Sequence, residues 1–188
     1  MTMDAVTPSS GPIGLPVAIT GSGFGNYRAG YTRVLLGDTT APVTSWSDTQ
    51  IKFTAPGTLA VGNYDLAIER ELNGGLMTSL PVSWTVTVPE ILTITPVNAP
   101  MAGPVTLTGN SFGNYRAGYT VVLMGGATAQ VTSWTDTQIK VRTPYLMPGN
   151  YGVQVTRSLN GGLSESSTAY INITWPVVSS MTPVSGQG

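Results

Sequence analysis

The segment FGNYRAGYT at Phe24–Thr32 recurs letter for letter at Phe112–Thr120, 88 positions later. VTSWSDTQIK at Val43–Lys52 returns at the same offset as VTSWTDTQIK at Val131–Lys140. GNY at Gly62–Tyr64 and LNGGL at Leu72–Leu76 return 87 positions later, at Gly149 and Leu159. One residue is lost between KFTAPGTLAVGNY and KVRTPYLMPGNY. A repeat of this period constrains the architecture before any element is assigned, because the chain must be two copies of one folding unit. Thr-Pro pairs at Thr7-Pro8, Thr95-Pro96 and Thr182-Pro183 mark the same point in successive copies. Units are therefore expected at 1–89 and 90–176, with 177–188 as the start of a third unit or a tail.

Within one unit the pattern is all-β. AVTP, PVAITGSGF, TRVLLGD, APVTSW, TQIKFTAP, NYDLAIER and SWTVTV are short runs rich in Val, Ile, Thr and aromatics, broken by Gly, Pro, Asn or Asp. Period-two alternation places Val17 and Ile19, Ile51 and Phe53, Leu66 and Ile68, and Trp84, Val86 and Val88 on inner faces, with Val105 and Leu107 matching them in the second copy. Lys52 and Lys140 alternate with inward isoleucines and point outward. No stretch carries a helical period of useful length. Seven strands per unit predict tandem immunoglobulin-like β-sandwiches.

Composition removes several classes of function. Charged residues make up 9% of the chain, against about 25% in an average soluble domain, and the formal net charge is −1. A nucleic-acid or anionic-membrane partner is therefore not expected. The chain contains no Cys and no His, so neither Cys-His nor Ser-His-Asp catalysis nor the usual zinc site is available. No phosphate loop, paired carboxylates or D-x-D-x-D/N-G calcium run is present, and neither a cofactor nor enzymatic activity is expected. The opening MTMDAVTPSSG has no basic flank and no apolar stretch, so it does not read as a signal peptide. No apolar run approaches the ~18 residues of a membrane span.

The motifs then become specific. ITP at Ile94–Pro96 is followed by GPVTLTGNSFG at Gly103–Gly113, VTSWTDTQIKV at Val131–Val141, Pro144 and GNYGVQV at Gly149–Val155. Together with VLLG at Val34–Gly37 in the first copy, this resembles the IPT/TIG family of immunoglobulin-like domains over essentially the whole chain, twice. The resemblance implies a sandwich used in bacterial surface and secreted proteins, in plexin-type receptors, in some starch-acting enzymes as an accessory module, and in Rel-type transcription factors. Tyr64 and Tyr151, each following Gly-Asn, resemble the tyrosine corner of such sandwiches.

Antiparallel order places GFGNYRAGYT, SWSDTQ and ELNGGL at one end of the unit, here called the top. PSSGPIGLP, GDTTAP and TAPGTLAVG fall at the bottom. The second copy keeps the top and changes the bottom, which a simple recent duplication does not explain. Internal or junction packing is the first expectation for the matched loops, and recognition of a partner the second, since Tyr, Asn and Gly dominate paratopes. The candidate interaction residues are Asn26, Tyr27, Arg28, Tyr31, Arg70 and Asn73, with Asn114, Tyr115, Arg116, Tyr119, Arg157 and Asn160 in the second copy. The arginines have two readings, donation to loop carbonyls or capture of a carboxylate or sugar acid. Asp48 and Asp136 are expected to make Asx-turns before TQI, and Trp46 and Trp134 to pack under the top loops. Asn172-Ile173-Thr174 is the sole glycosylation sequon.

These features lead to a non-catalytic structural and adhesion module of an extracellular or cell-surface protein. It would act as a spacer and assembly unit, with other copies of the repeat or other surface proteins as partners. The alternative is a carbohydrate-binding accessory segment of a secreted polysaccharide-acting enzyme, with a glycan as partner. No membrane insertion is expected in this segment.

Overall fold

The computed structural model describes residues 1–159 and 162–177. The first unit runs β1 (Thr2–Thr7), β2 (Ser10–Gly11), β3 (Pro16–Ser22), β4 (Thr32–Leu36), β5 (Thr39–Ala41), β6 (Val43–Trp46), β7 (Gln50–Thr54), β8 (Gly62–Leu72), β9 (Gly75–Thr78) and β10 (Val82–Val86). One sheet has the order β1-β3-β7-β6. The facing sheet has the order β2-β10-β8-β4-β5, with β9 paired to β8.

The second unit repeats this plan with β11 (Glu90–Thr95), β12 (Asn98–Pro100), β13 (Pro104–Asn110), β14 (Thr120–Met124), β15 (Ala127–Thr128), β16 (Gln130–Trp134), β17 (Gln138–Arg142), β18 (Gly149–Leu159), β19 (Gly162–Glu165) and β20 (Ala169–Thr174). Its sheets are β11-β13-β17-β16 and β12-β20-β18-β14-β15, with β19 on β18. No helix occurs among the described residues. The start of a third unit, expected at 177–188, lies outside the described residues from position 178 onward.

The core follows the alternation. Ile19, Ile51, Phe53, Val34, Leu36, Leu66, Ile68 and Trp84 are all fully buried between the two sheets of the first unit. Leu107, Ile139, Val122, Met124, Val153, Val155 and Ile171 do the same in the second. At roughly 1.5–3 kcal/mol for each fully buried large apolar side chain, burial is the dominant favourable term in each sandwich. The two cores are separate clusters.

Three details differ from the sequence expectation. The opening strand is split: β1 pairs antiparallel with β3, and the chain then crosses to the other sheet, where β2 pairs parallel with β10. APVTSW is likewise two strands, since β5 pairs with β4 in one sheet and β6 with β7 in the other. Changing sheets lets one segment close both edges of the sandwich, and a period-two reading cannot see such a crossing. Finally, Val88 is not an inner-face residue. It lies beyond the last ladder pair and is 39% exposed, lining a cleft of about 460 Å³ with Val61, Pro89 and Glu90.

The tyrosine corner is formed in both units. Tyr64 Oη donates to Ala60 O and Tyr151 Oη to Met147 O, each at 3.0 Å. Register fixes the polarity of each unit. Thr2 pairs with Ser22 and Thr32 with Arg70, so the loop after β3 sits at the unit's N-terminal end, beside the turn after β8. The second unit has the same arrangement, with Glu90 paired to Asn110 and Thr120 to Arg157. The top of the second unit therefore faces the bottom of the first.

Candidate functional site: the matched top loops and the junction between units

The matched loop is built around a buried phenylalanine. Phe24 and Phe112 are fully buried, and each anchors its loop in the hydrophobic core of its own unit. Phe24 N donates to Asp48 O and Phe112 N to Asp136 O, both at 3.0 Å. The next amide is held by the aspartate side chain: Gly25 N to Asp48 Oδ1 at 2.7 Å and Gly113 N to Asp136 Oδ1 at 2.8 Å. This corrects the expectation for Asp48 and Asp136. The tight turn before TQI is closed instead by Ser47 Oγ and Thr135 Oγ1, which accept from Gln50 N and Gln138 N. The aspartates reach across to the long loop, a non-local contact that spacing alone could not reveal.

Trp46 and Trp134 do pack under the loop. Their indole N–H groups donate to Gly25 O at 3.1 Å and Gly113 O at 2.9 Å. Tyr27 lies against Trp46 with ring centroids 5.8 Å apart, and Tyr115 against Trp134 at 5.6 Å. The far end of the loop is closed by the buried Thr32 and Thr120 hydroxyls, which accept from Arg28 N at 2.9 Å and Arg116 N at 2.8 Å. Tyr31 O accepts from Glu71 N, and Tyr119 O from Ser158 N, at 2.7 Å in both cases. The two loops thus make the same internal bonds to within a few tenths of an ångström. Self-scaffolding accounts for most of their shared sequence.

The tyrosines keep an exposed side. Tyr27 and Tyr31 are each 50% exposed, Tyr115 47% and Tyr119 58%. Asn26, Arg28, Asn73, Asn114 and Arg116 are exposed as well, and the Arg28 guanidinium lies 5.1 Å from the Tyr31 ring centroid. Asn160 lies outside the described residues. Neither Tyr115 nor Arg116 is buried at the junction, so these side chains do not join the units.

Arg157 does. It is fully buried, whereas its counterpart Arg70 is only partly so. Arg157 Nη1 donates to Phe112 O and to Asn114 O at 3.1 Å, and Nη2 crosses to Ile13 O in the first unit at 3.3 Å. Removal from water pushes this guanidinium down to about 10. Asp136 opposes that shift and Arg116 adds to it. At neutral pH the group remains charged. Carbonyl groups from both units accept from Nη1 and Nη2 without a carboxylate partner, while the buried Nε has no partner among the described residues, and the side chain is not part of the exposed group of candidate residues.

Gly25 and Gly113, with φ of 66° and 63°, let the guanidinium approach the loop closely. A Cβ at Gly25 would come within 2.3 Å of Arg70 Nη2, and one at Gly113 within 2.7 Å of Arg157 Cζ. A left-handed backbone and a close approach coincide here, and glycine alone meets both demands.

The rest of the junction is equally tight. A Cβ on Gly14 would lie 2.4 Å from Leu159 Cδ1, and one on Gly162 would lie 1.6 Å from Gly57 O. Leu159 is 2% exposed, while Leu72, its counterpart at the free top, is partly exposed. Thr87 Oγ1 adds a strap to Ser111 Oγ at 2.9 Å. Only three residues, Thr87–Pro89, separate β10 from β11. Among the described residues no cluster of acidic side chains suited to a metal ion occurs. Among these residues no helix is long and apolar enough to cross a membrane.

Comparison with known proteins agrees with this architecture. The IPT/TIG domain model matches residues 1–83 and again 89–171. A cyclomaltodextrin glucanotransferase of Niallia circulans is 36% identical over 88 residues, covering 47% of this chain and 12% of that enzyme. A second enzyme of the same name and organism is 28% identical over 120 residues, covering 64% of this chain and 17% of its own length. The chain thus spans less than a fifth of these relatives. The full extracellular region of plexin A4 superposes with a TM-score of 0.59 at 15% identity, covering 92% of this chain and 18% of that one. That likeness is one of fold.

Proposed function

The chain belongs to the IPT/TIG domain family, and from that premise we propose that it is a non-catalytic, extracellular spacer made of two domains, 1–89 and 90–176. Its work is to hold neighbouring parts of a larger protein at a fixed separation and angle. The observation that carries this reading is the junction. A buried arginine spans the two units, and a Cβ on Gly14 would collide with Leu159, as one on Gly162 would with the Gly57 carbonyl. A flexible linker would need none of these. The exposed Tyr-Asn-Arg surface of the top loops, at Asn26, Tyr27, Arg28, Tyr31 and Asn73, is then a contact surface for other copies or other surface proteins. The test is the rotational diffusion of the two units by 15N relaxation. One shared correlation time is expected, and two separate times would end the spacer reading.

A second reading draws on a specific observation, the groove of about 290 Å³ where Tyr27 and Trp46 meet Val43, Thr44 and Ser45. Aromatic rings beside hydroxyls suit a sugar, and the relatives described above are named for cyclomaltodextrin. On this reading the chain is an accessory segment of a secreted glucan-acting enzyme. Titration with maltoheptaose, following the indole resonances of Trp46 and Trp134, separates the two. Shifts lost in Tyr27→Ala and Tyr115→Ala would favour sugar binding, and a flat titration would favour the spacer.

A further inference from the structure

The two copies place the same residues in two different situations. At the junction, Arg157, Leu159 and Gly162 form a plug that seats in a socket made by Ile13, Gly14 and Gly57 of the first unit. At the free top of the first unit the corresponding plug is complete: Arg70, Leu72 and Gly75 stand in the same register on the same strands. There it is empty-handed. Arg70 makes one hydrogen bond, Nη1 to Gly23 O at 3.3 Å, and has nothing equivalent to the Ile13 carbonyl among the described residues. Leu72 is partly exposed, and a Cβ on Gly75 would meet only Leu72 O, at 3.5 Å. That is ordinary van der Waals contact, so no local crowding excludes a side chain at Gly75.

The bottom of the second unit is not a matching socket. Ala102 stands where the first unit has Gly14, and Tyr145 where it has Gly57. Ala102 keeps the turn, with φ of 54° against 74° for Gly14, but it carries the Cβ that the seated leucine excludes. Tyr145 is 86% exposed and puts a large side chain at the position where the first unit has Gly57, the residue whose carbonyl lies against Gly162.

We propose that the Arg70–Leu72–Gly75 surface docks the bottom of another sandwich unit, one carrying a glycine-containing turn with a free carbonyl like that of Ile13-Gly14. The occupant follows from the junction already present in this chain: a carbonyl for the guanidinium, a Cβ-free turn for the leucine and a bare backbone oxygen over the glycine. The contact is polar in sense, because a unit ending in Ala102 and Tyr145 is refused. A contact of this kind thus extends from the top of the first unit, and the bottom of the second does not offer the same socket. The inference rests on the spacer reading and extends it.

The experiment adds a second copy of residues 1–89 directly before Thr2, so that Pro89 takes the place of Met1 and an Ile13-Gly14 socket lies above Arg70. Gly23 lacks the hydroxyl of Ser111, so the strap to Thr87 is missing and the new junction depends on the plug. All three units are expected to share one correlation time by 15N relaxation. Gly14→Ala in the added copy alone should release that copy, which would then tumble at least twice as fast as the pair below it. Arg70→Ala should release it too, with folding checked in the parent two-unit chain. An added unit that tumbles freely with the native sequence overturns the proposal. So does one that stays fixed with both substitutions, since the linker alone would then be setting the angle. If the parent two-unit chain is itself flexible, the spacer reading fails instead, and the two failures are distinct.

Discussion

Replacing Gly14 by alanine isolates the energy of the junction from that of the fold. The turn should survive, because Ala102 holds the equivalent position in the second unit at φ 54°. The left-handed backbone costs about 1 kcal/mol for a residue with a Cβ, and that loss falls on the stability of the first unit alone. The steric effect falls elsewhere, because the new Cβ would stand 2.4 Å from Leu159 Cδ1 and 3.0 Å from its Cβ, so the leucine has to shift out of its seat. Leu72 shows how buried such a leucine is without a partner unit. The junction therefore contributes the step from partly to fully buried, about half of the 1.5–3 kcal/mol for a whole leucine. Opening also breaks the bond from Arg157 Nη2 to Ile13 O. At 3.3 Å it is long, and it belongs near the low end of the roughly 1.5–3 kcal/mol range for bonds to charged groups. Together these give about 2.5 kcal/mol, a closed-to-open ratio of about sixtyfold in the native chain. Gly14→Ala should bring that ratio to about one or below. The expected result is a common correlation time in the native chain and faster, separate times in the variant. The first unit's unfolding free energy should drop by only about 1 kcal/mol. In a Leu159→Ala background, Gly14→Ala should lose its effect on tumbling. Unchanged tumbling in the single variant, in a folded chain, would refute the assignment of the junction to these contacts.

Other substitutions probe the scaffold. Asp136→Ala leaves the Gly113 amide without its acceptor, and the second unit should lose about 1–3 kcal/mol in urea unfolding while the first unit is unaffected. Arg157→Lys keeps the charge but replaces a planar fork with a single point, so it cannot reach the carbonyls of Phe112, Asn114 and Ile13 together. Loosened tumbling and a stability loss of about 1–3 kcal/mol are expected, with the same change at Arg70 costing less. Tyr151→Phe removes only the corner bond to Met147 O and should cost about 1 kcal/mol without altering the angle between units.

Much of this protein is legible in its sequence. The repeat, the period-two alternation and the Gly and Pro punctuation are local signals, and they specify two all-β units, the buried faces around Ile19, Ile51, Leu66 and Leu107, and the polarity that puts the matched loops at the top. The tyrosine corner is legible for the same reason, since Tyr64 bonds a carbonyl only four residues away. Three things were decided by tertiary structure. Strands that change sheets look like ordinary strands, because side-chain alternation says nothing about which sheet supplies the next ladder. Asp48 turned out to clamp a loop 23 positions distant in place of its own turn. Arg70 and Arg157, alike in sequence, differ in role because burial depends on what lies across the junction, and Ile13 is 144 positions from Arg157. A sequence records which groups are available to bond. Only the packed chain brings a carbonyl to one arginine and leaves the other without it.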